Sequence, residues 1–175
     1  GVGGSSKVYS AQWDDGQEYA LKIIRKDKGY SDETSRKLVQ NEAFVMQALG
    51  SHPNLVNCLG GNSEGLAYLA DGQHSIRYLV LEKCKNGSLA NIIRQTGPLE
   101  ENIAKFLFLQ LWCATQYLHN KNYAHLDIKL ENVLLDDFYN AKLADLGTAL
   151  NVEDSLGYTN KRRGTVHYMA PEIHN

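Results

Sequence analysis

The sequence predicts an α+β fold with a small β-rich N-terminal lobe at residues 1–82 and a mainly helical C-terminal lobe at residues 83–175. Two observations support this prediction. Strand patterns with tight-turn signals, interrupted by one helical pattern, fill the first part, and two further helical patterns follow residue 88. With 175 residues, 43% of them hydrophobic, the chain is long enough to form one core or two small lobes.

The first predicted element is a β-hairpin. Residues 7–13 and 18–24 favour strands, and the sequence DDGQ at residues 14–17 carries the Asp-Gly signal of a tight turn. Because side chains alternate along a strand, Ala20 and Lys22 project from the same face. We therefore expect these two side chains to line the same space.

An amphipathic helix is predicted next, at residues 32–49, with Ser31 and Asp32 as capping candidates and Gly50 as its stop. Glu42 falls on the apolar stripe of this helix. A carboxylate on a buried face is costly unless it is paired, so the pattern predicts a cationic partner from elsewhere in the fold. The alternative is that Glu42 lies only at the edge of the stripe.

Two apolar strands are predicted at residues 55–59 and 78–82, separated by a Gly-rich polar connection at residues 60–77. Helical patterns follow at residues 89–95 and 101–120, with glycine and proline between them. The apolar run at residues 106–118 is too short to cross a bilayer and predicts a buried helix.

Composition excludes several classes of function. A net charge of -2 without a basic stripe argues against a nucleic-acid or anionic-membrane partner. Cys58, Cys84 and Cys113 are widely spaced, which argues against a disulfide framework or a zinc site. We predict a reducing, cytoplasmic location, with the nucleus as the alternative, no membrane segment and no signal peptide. No oligomeric state is predicted.

The chain opens with GVGGSSKV, a G-x-G-x-x-[GS]-x-V pattern in which bare backbone amides can approach phosphate oxygens. Ser6 stands at the third glycine position of this pattern. No Gly-Lys-Ser/Thr follows, so the Walker-type phosphate loop is excluded. Alone, the pattern is weak evidence, since any Gly-rich turn has this composition.

Stronger evidence comes from HLDIKLEN at residues 125–132, DLG at 145–147, GT at 164–165 and APE at 170–172. In this order and spacing, they resemble the H-R-D-x-K-x-x-N, D-F-G and A-P-E signatures of the protein kinase family. The resemblance covers the whole chain, and Lys129 matches the serine/threonine type. Family members continue after Glu172 with further helices, so we expect this chain to be part of a longer domain.

The resemblance implies a catalytic set. Lys22 would hold the α- and β-phosphates of ATP and pair with Glu42. Asp127 would accept the proton of the attacking hydroxyl, while Lys129 would neutralise charge on the transferring phosphoryl group. Thr165 would hydrogen-bond near Asp127 and Lys129 and shape the substrate pocket.

The same resemblance implies the cofactor and nucleotide contacts. Asp145 and Asn132 would bind Mg²⁺, with Mn²⁺ as a substitute. The Gly-rich loop would contact the phosphates, a hinge segment would contact the adenine edge, and apolar residues would cover the faces of the adenine ring. The residues implied for these nucleotide contacts are Gly1, Gly3, Ser6, Val8, Ala20, Leu81, Glu82, Cys84 and Leu134. The apolar members would also be core residues without any ligand.

The resemblance also gives expectations for three positions outside the predicted catalytic and nucleotide-binding sets. His125 occupies a packing position of the family, although histidine titrates near neutral pH and invites a catalytic role. Leu126 replaces the arginine that ordinarily clamps an activation-segment phosphate. Lys161 falls where family members often place the phosphorylated residue, which leaves Ser155, Tyr158 and Thr159 as candidates further up the loop.

The sequence therefore predicts phosphoryl transfer from ATP to serine or threonine hydroxyls of protein substrates. One alternative is a pseudokinase or scaffold, although the lysine, base and metal ligands whose loss marks such proteins are all present. Another is a small-molecule phosphotransferase with the same fold, although the GT and APE elements belong to kinases that dock polypeptides. A third is a truncated fragment that is itself inactive.

Overall fold

The computed structural model describes residues 6–14, 16–25, 29–153 and 163–173. The chain divides into two compact units, Gly1–Gly50 with Asn57–Lys83 and Ser51–Val56 with Cys84–Asn175. The sequence-based division had a single boundary after residue 82 and did not anticipate that Ser51–Val56 joins the second unit. Backbone hydrogen bonds explain this placement, since Val56 N–H donates to the Leu143 carbonyl over 3.0 Å.

The first unit is built on a four-stranded sheet in the order β1-β2-β4-β3, with all pairs antiparallel. Its strands are β1 (Ser6–Gln12), β2 (Glu18–Ile24), β3 (Cys58–Leu69) and β4 (Gly72–Glu82). The hairpin of β1 and β2 lies where the sequence predicts it.

The prediction of a polar connection at residues 60–77 is wrong, because β3 and β4 form one long hairpin through this stretch. Two of its glycines, Gly61 and Gly65, allow close packing between the strands. A Cβ atom at Gly61 would lie 2.7 Å from the Tyr78 carbonyl oxygen, and one at Gly65 would lie 2.5 Å from the Tyr78 ring. Glycine here therefore marks a close approach and a bulged register rather than a loop.

Helix α1 (Asp32–Leu49) packs on this sheet within the first unit. The Ser31 side chain caps its start by accepting a hydrogen bond from Thr34 N–H over 3.1 Å. Gly50, at φ 71°, ends the helix in a conformation that suits glycine. The buried face carries Val39, Val45, Met46 and Leu49, and also Glu42.

The second unit contains helices α2 (Leu89–Thr96) and α3 (Glu101–Asn120) and two small antiparallel sheets. One sheet pairs β5 (Tyr123–Ala124) with β8 (Leu150–Asn151), and the other pairs β6 (Val133–Leu135) with β7 (Ala141–Leu143). A core cluster packs α2 and α3 against the second sheet and consists of Leu89, Leu107, Val133, Leu135 and Ala141.

Helix α3 is only partly buried, which corrects the prediction of a buried helix. Leu107, Ala114 and Leu118 face the interior, whereas Phe108 is 60% and Trp112 58% exposed. The helix contacts the strands β5 and β7. Among the described residues, no helix is long and apolar enough to span a membrane. Within the same part of the chain, none of the three cysteines forms a disulfide.

Candidate active site

The first cluster of predicted site residues lies on the sheet of the first unit. Lys22 is on the inner face of β2 and only 7% exposed. Val8 of β1 lies directly opposite Lys22, and Ala20 lies opposite Leu81 of β4. Since cross-strand partners share a face and side chains alternate, these four residues project from the same side of the sheet. The shared face predicted for Ala20 and Lys22 is therefore present.

Glu42 of α1 provides the partner of Lys22. The Lys22 Nζ donates to both carboxylate oxygens of Glu42, over 2.6 and 2.7 Å. Glu42 is 4% exposed, so it has the cationic partner that its burial requires. The pair fixes the ammonium group at one place on the sheet. Removing one member of such a buried pair typically costs about 3–5 kcal/mol, because the other charge is left uncompensated.

The second cluster lies in the second unit, in the loop that follows β5. His125 is 2% exposed and holds the start of this loop through both ring nitrogens. Its Nδ1 accepts from Asp127 N–H over 3.2 Å, and its Nε2 lies 3.0 Å from the Ala144 carbonyl. Burial lowers the pKa of His125, so the ring is neutral with its proton on Nε2. These contacts are those of a packing residue that positions the Asp127 backbone.

The Asp127 carboxylate accepts three hydrogen bonds. Its Oδ1 accepts from Thr165 N–H over 2.8 Å, while its Oδ2 accepts from Lys129 Nζ over 2.7 Å and Asn132 Nδ2 over 3.2 Å. Burial opposes ionisation, yet the hydrogen bonds from Lys129 and Thr165 outweigh it and hold the pKa of Asp127 below its usual range. The group is therefore an oriented carboxylate at neutral pH.

Lys129 connects this carboxylate to residues far along the chain. Besides its contact with Asp127, its Nζ donates to the Thr165 hydroxyl over 2.6 Å. Thr165 thus meets Asp127 through its backbone and Lys129 through its side chain. A carboxylate, a cation and a hydroxyl are brought together, which is an arrangement suited to proton transfer beside a developing negative charge.

Asn132 and Asp145 are the predicted metal ligands. The Asn132 Nδ2 also donates to the Asp127 carbonyl over 2.8 Å, which turns the amide oxygen away from the carboxylate. Ala144 N–H donates to the Asn132 carbonyl over 2.8 Å and ties the residue before Asp145 to Asn132. The described residues contain no cluster of three or more His, Cys, Asp or Glu for a metal ion. Mg²⁺ suits this sparse oxygen set, since it is usually held by one or two carboxylates together with phosphates.

The residues predicted for adenine and phosphate contacts belong partly to the first unit and partly to the second. Gly1 and Gly3 lie outside the described residues, whereas Ser6 is buried at the start of β1. Val8, Ala20, Leu81 and Glu82 belong to the sheet of the first unit, and Cys84 and Leu134 belong to the second unit. The Glu82 side chain accepts from Asn57 N–H over 2.7 Å, a contact that the sequence did not indicate.

The sequence did not reveal the close approach of residue 164 to the Asp127 loop. Leu126 has φ 64° and Gly164 has φ 94°. Leucine is rarely found at positive φ, so its residue type gave no sign of this turn. A glycine directly before Thr165 was the one available signal, and it pointed only to a turn.

The whole chain, residues 1–175, matches the family described as protein kinase domain. It is 32% identical over 99% of its length to the cell cycle serine/threonine-protein kinase CDC5/MSD2 of Saccharomyces cerevisiae. The probable serine/threonine-protein kinase KCC4 of the same yeast is 34% identical, and the CBL-interacting protein kinase 24 of Oryza sativa is 33% identical, each over 99% of this chain. The chain spans 23%, 16% and 36% of the lengths of these three relatives.

Proposed function

The chain belongs to the protein kinase domain family, and on this basis we propose that it transfers the γ-phosphate of ATP to serine or threonine hydroxyls of protein substrates. Members of this family generally use ATP with a divalent metal ion and phosphorylate proteins. The observation that carries the proposal is the Asp127 carboxylate, held by Lys129, Asn132 and Thr165.

In this proposal, Asp127 accepts the proton of the attacking hydroxyl. A carboxylate offers about four acceptor positions. Among the described residues, Oδ2 accepts from the Lys129 and Asn132 side chains while Oδ1 accepts from Thr165 N–H, so Oδ1 has more room for a further hydrogen bond. The proton would therefore be taken at Oδ1, while Lys129 balances negative charge beside it. The resulting acid can return the proton to solvent after transfer.

Lys22 would hold the α- and β-phosphates of ATP in this proposal. Its Nζ is bound by both oxygens of Glu42, which fixes its position and keeps it charged in a buried setting. Along the adenine edge, Glu82 would use its carbonyl oxygen, because its N–H donates to the Asn57 carbonyl over 3.0 Å. Cys84 would contribute the neighbouring backbone contact, and Val8, Ala20 and Leu134 would cover the ring.

Asp145 and Asn132 would hold Mg²⁺, which supplies neutralisation of phosphate charge when bound. Replacing Asp145 by asparagine should raise the Mg²⁺ concentration for half-maximal rate at least about tenfold, because a neutral amide is a weaker ligand for a hard cation. Titration of Mg²⁺ against initial rate measures this change. Asp137→Asn is the matched control, since Asp137 is half-exposed and paired with Lys85. An unchanged Mg²⁺ requirement in Asp145→Asn would remove Asp145 from the metal site.

The proposed function is tested with the full-length protein, γ-labelled ATP and Mg²⁺. Label should enter a mixture of dephosphorylated proteins and should depend on Mg²⁺. A pseudokinase or scaffold would give no incorporation, and a small-molecule phosphotransferase would label soluble metabolites instead of protein. Either result would overturn the proposal.

Regulation should differ from that of family members with an arginine beside the base. Leu126 occupies that position and cannot bind a phosphate, so we predict that activity does not require activation-segment phosphorylation. The candidate sites Ser155, Tyr158 and Thr159, and Lys161, lie outside the described residues.

Phosphatase treatment of the full-length enzyme checks this prediction. After mass spectrometry shows complete loss of phosphate at residues 155, 158 and 159, kcat should stay within about threefold, less than the ~1.4 kcal/mol of a tenfold effect. A collapse of activity that rephosphorylation restores would contradict it.

A cytoplasmic location stays a prediction from the cysteine spacing alone.

A further inference from the structure

Gly164 packs against the backbone of the loop that carries Asp127. A Cβ atom at this position would come closer than 3.0 Å to the Leu126 carbonyl oxygen, a separation that real Cβ contacts essentially never show. The neighbour is backbone, so it cannot move aside as a side chain would. Both residues have positive φ, 64° at Leu126 and 94° at Gly164. Glycine adopts such a backbone conformation at little steric cost.

The next residue along the chain makes the contacts that depend on this approach. Thr165 N–H donates to Asp127 Oδ1 over 2.8 Å, and the Thr165 hydroxyl accepts from Lys129 Nζ over 2.6 Å. If residue 164 were displaced by a side chain, Thr165 would move with it, because one peptide unit joins them. A Cβ at residue 164 would also stand 3.5 Å from Asp127 Oδ1.

We propose that Gly164 is a positioning residue for phosphoryl transfer: its missing side chain lets residues 163–165 lie on the Leu126 carbonyl, and this contact places Thr165 against Asp127 and Lys129. The inference rests on the proposed function for its catalytic consequence. Gly164 itself does not contact the reacting atoms. It acts by placing the Thr165 N–H against Oδ1 of Asp127, the oxygen that would take the proton.

The chain offers a matched control in Gly97, which ends α2. Gly97 has φ 85°, close to that of Gly164, but a Cβ there would meet nothing within 4 Å. Gly97→Ala therefore introduces the same kind of backbone strain without steric overlap. Any loss that is specific to Gly164→Ala reports the contact with Leu126.

In the full-length protein, Gly164→Ala should lower kcat at least tenfold and leave the KM for ATP within twofold. Gly97→Ala should leave both parameters within twofold. A Gly164→Ala protein that is unfolded, or that loses kcat and ATP affinity together, would assign Gly164 a structural role and overturn the proposal. If the parent protein is active and Gly164→Ala keeps its kcat within twofold, the positioning role fails while the proposed function stands.

A double-mutant cycle distinguishes positioning from general damage. If Gly164 acts through Thr165, the fold-loss from Gly164→Ala should be at least threefold smaller in a Thr165→Ala background than in the parent. Losses that simply multiply would show independent effects and contradict the proposal.

Amide hydrogen exchange tests the placement without requiring activity. The Thr165 amide should be protected in the parent and in Gly97→Ala, and unprotected in Gly164→Ala, because its acceptor is Asp127 Oδ1. Equal protection in all three proteins would overturn the proposal even if the parent transfers no phosphate.

Discussion

Asp127→Asn is expected to lower kcat by roughly 10²- to 10⁴-fold, the range for loss of a positioned base. The substitution keeps the shape of the side chain but removes its charge and one acceptor oxygen. Three donors converge on this carboxylate, from Lys129, Asn132 and Thr165. An amide must turn its own NH₂ toward one of them, so at least one hydrogen bond is lost.

Steady-state kinetics of the full-length protein measure this effect, with the KM for ATP expected to stay within about threefold. Asp137→Asn makes the same isosteric change at a half-exposed carboxylate paired with Lys85, and should leave kcat unchanged. If Asp127→Asn performs like this control, Asp127 is a structural residue and not the base.

Lys22→Met is expected to lower the transfer rate at least about 10²-fold, because a fixed cation aimed at phosphate charge is lost. It should also destabilise the protein. Glu42, at 4% exposure, would lose the ammonium group that both of its carboxylate oxygens bind, and breaking a buried ion pair typically costs about 3–5 kcal/mol. Reduced activity alone would therefore not separate a catalytic loss from unfolding.

A second variant separates the two effects. In Lys22→Met with Glu42→Leu, both buried charges are replaced by apolar side chains, so stability should return close to that of the parent. Activity should not return. Lys37→Met provides the surface control, since Lys37 is exposed and pairs with Glu33 one helical turn away. Recovery of transfer in the double variant would exclude Lys22 from phosphate binding.

The sequence predicted features that depend on local patterns, or on a pairing that a buried charge requires. Residues 18–24 and 32–49 have a clear period and end signals, and they form β2 and α1 with these bounds. The partner of Glu42 was predictable because a buried carboxylate needs a cation. That it is Lys22 followed only from the family resemblance.

The errors have a common cause, since each concerned packing between distant segments. The glycines of β3 looked like loop residues, because nothing local shows that Tyr78 packs against Gly61 and Gly65. The exposed face of α3 has the composition of a buried one. The positive φ of Leu126 could not be predicted from the preference of leucine. It occurs in a turn where Asp127 N–H donates to His125 Nδ1, so the two neighbours of Leu126 contact each other.

Phosphoamino-acid analysis after reaction with γ-labelled ATP tests the central claim most directly, with the full-length parent and Asp127→Asn compared on one protein substrate at equal concentration. The account predicts phosphoserine or phosphothreonine from the parent and a loss of both by at least about 10²-fold in Asp127→Asn. Phosphotyrosine as the main product, no labelled residue from the parent, or equal labelling by the two proteins would contradict it.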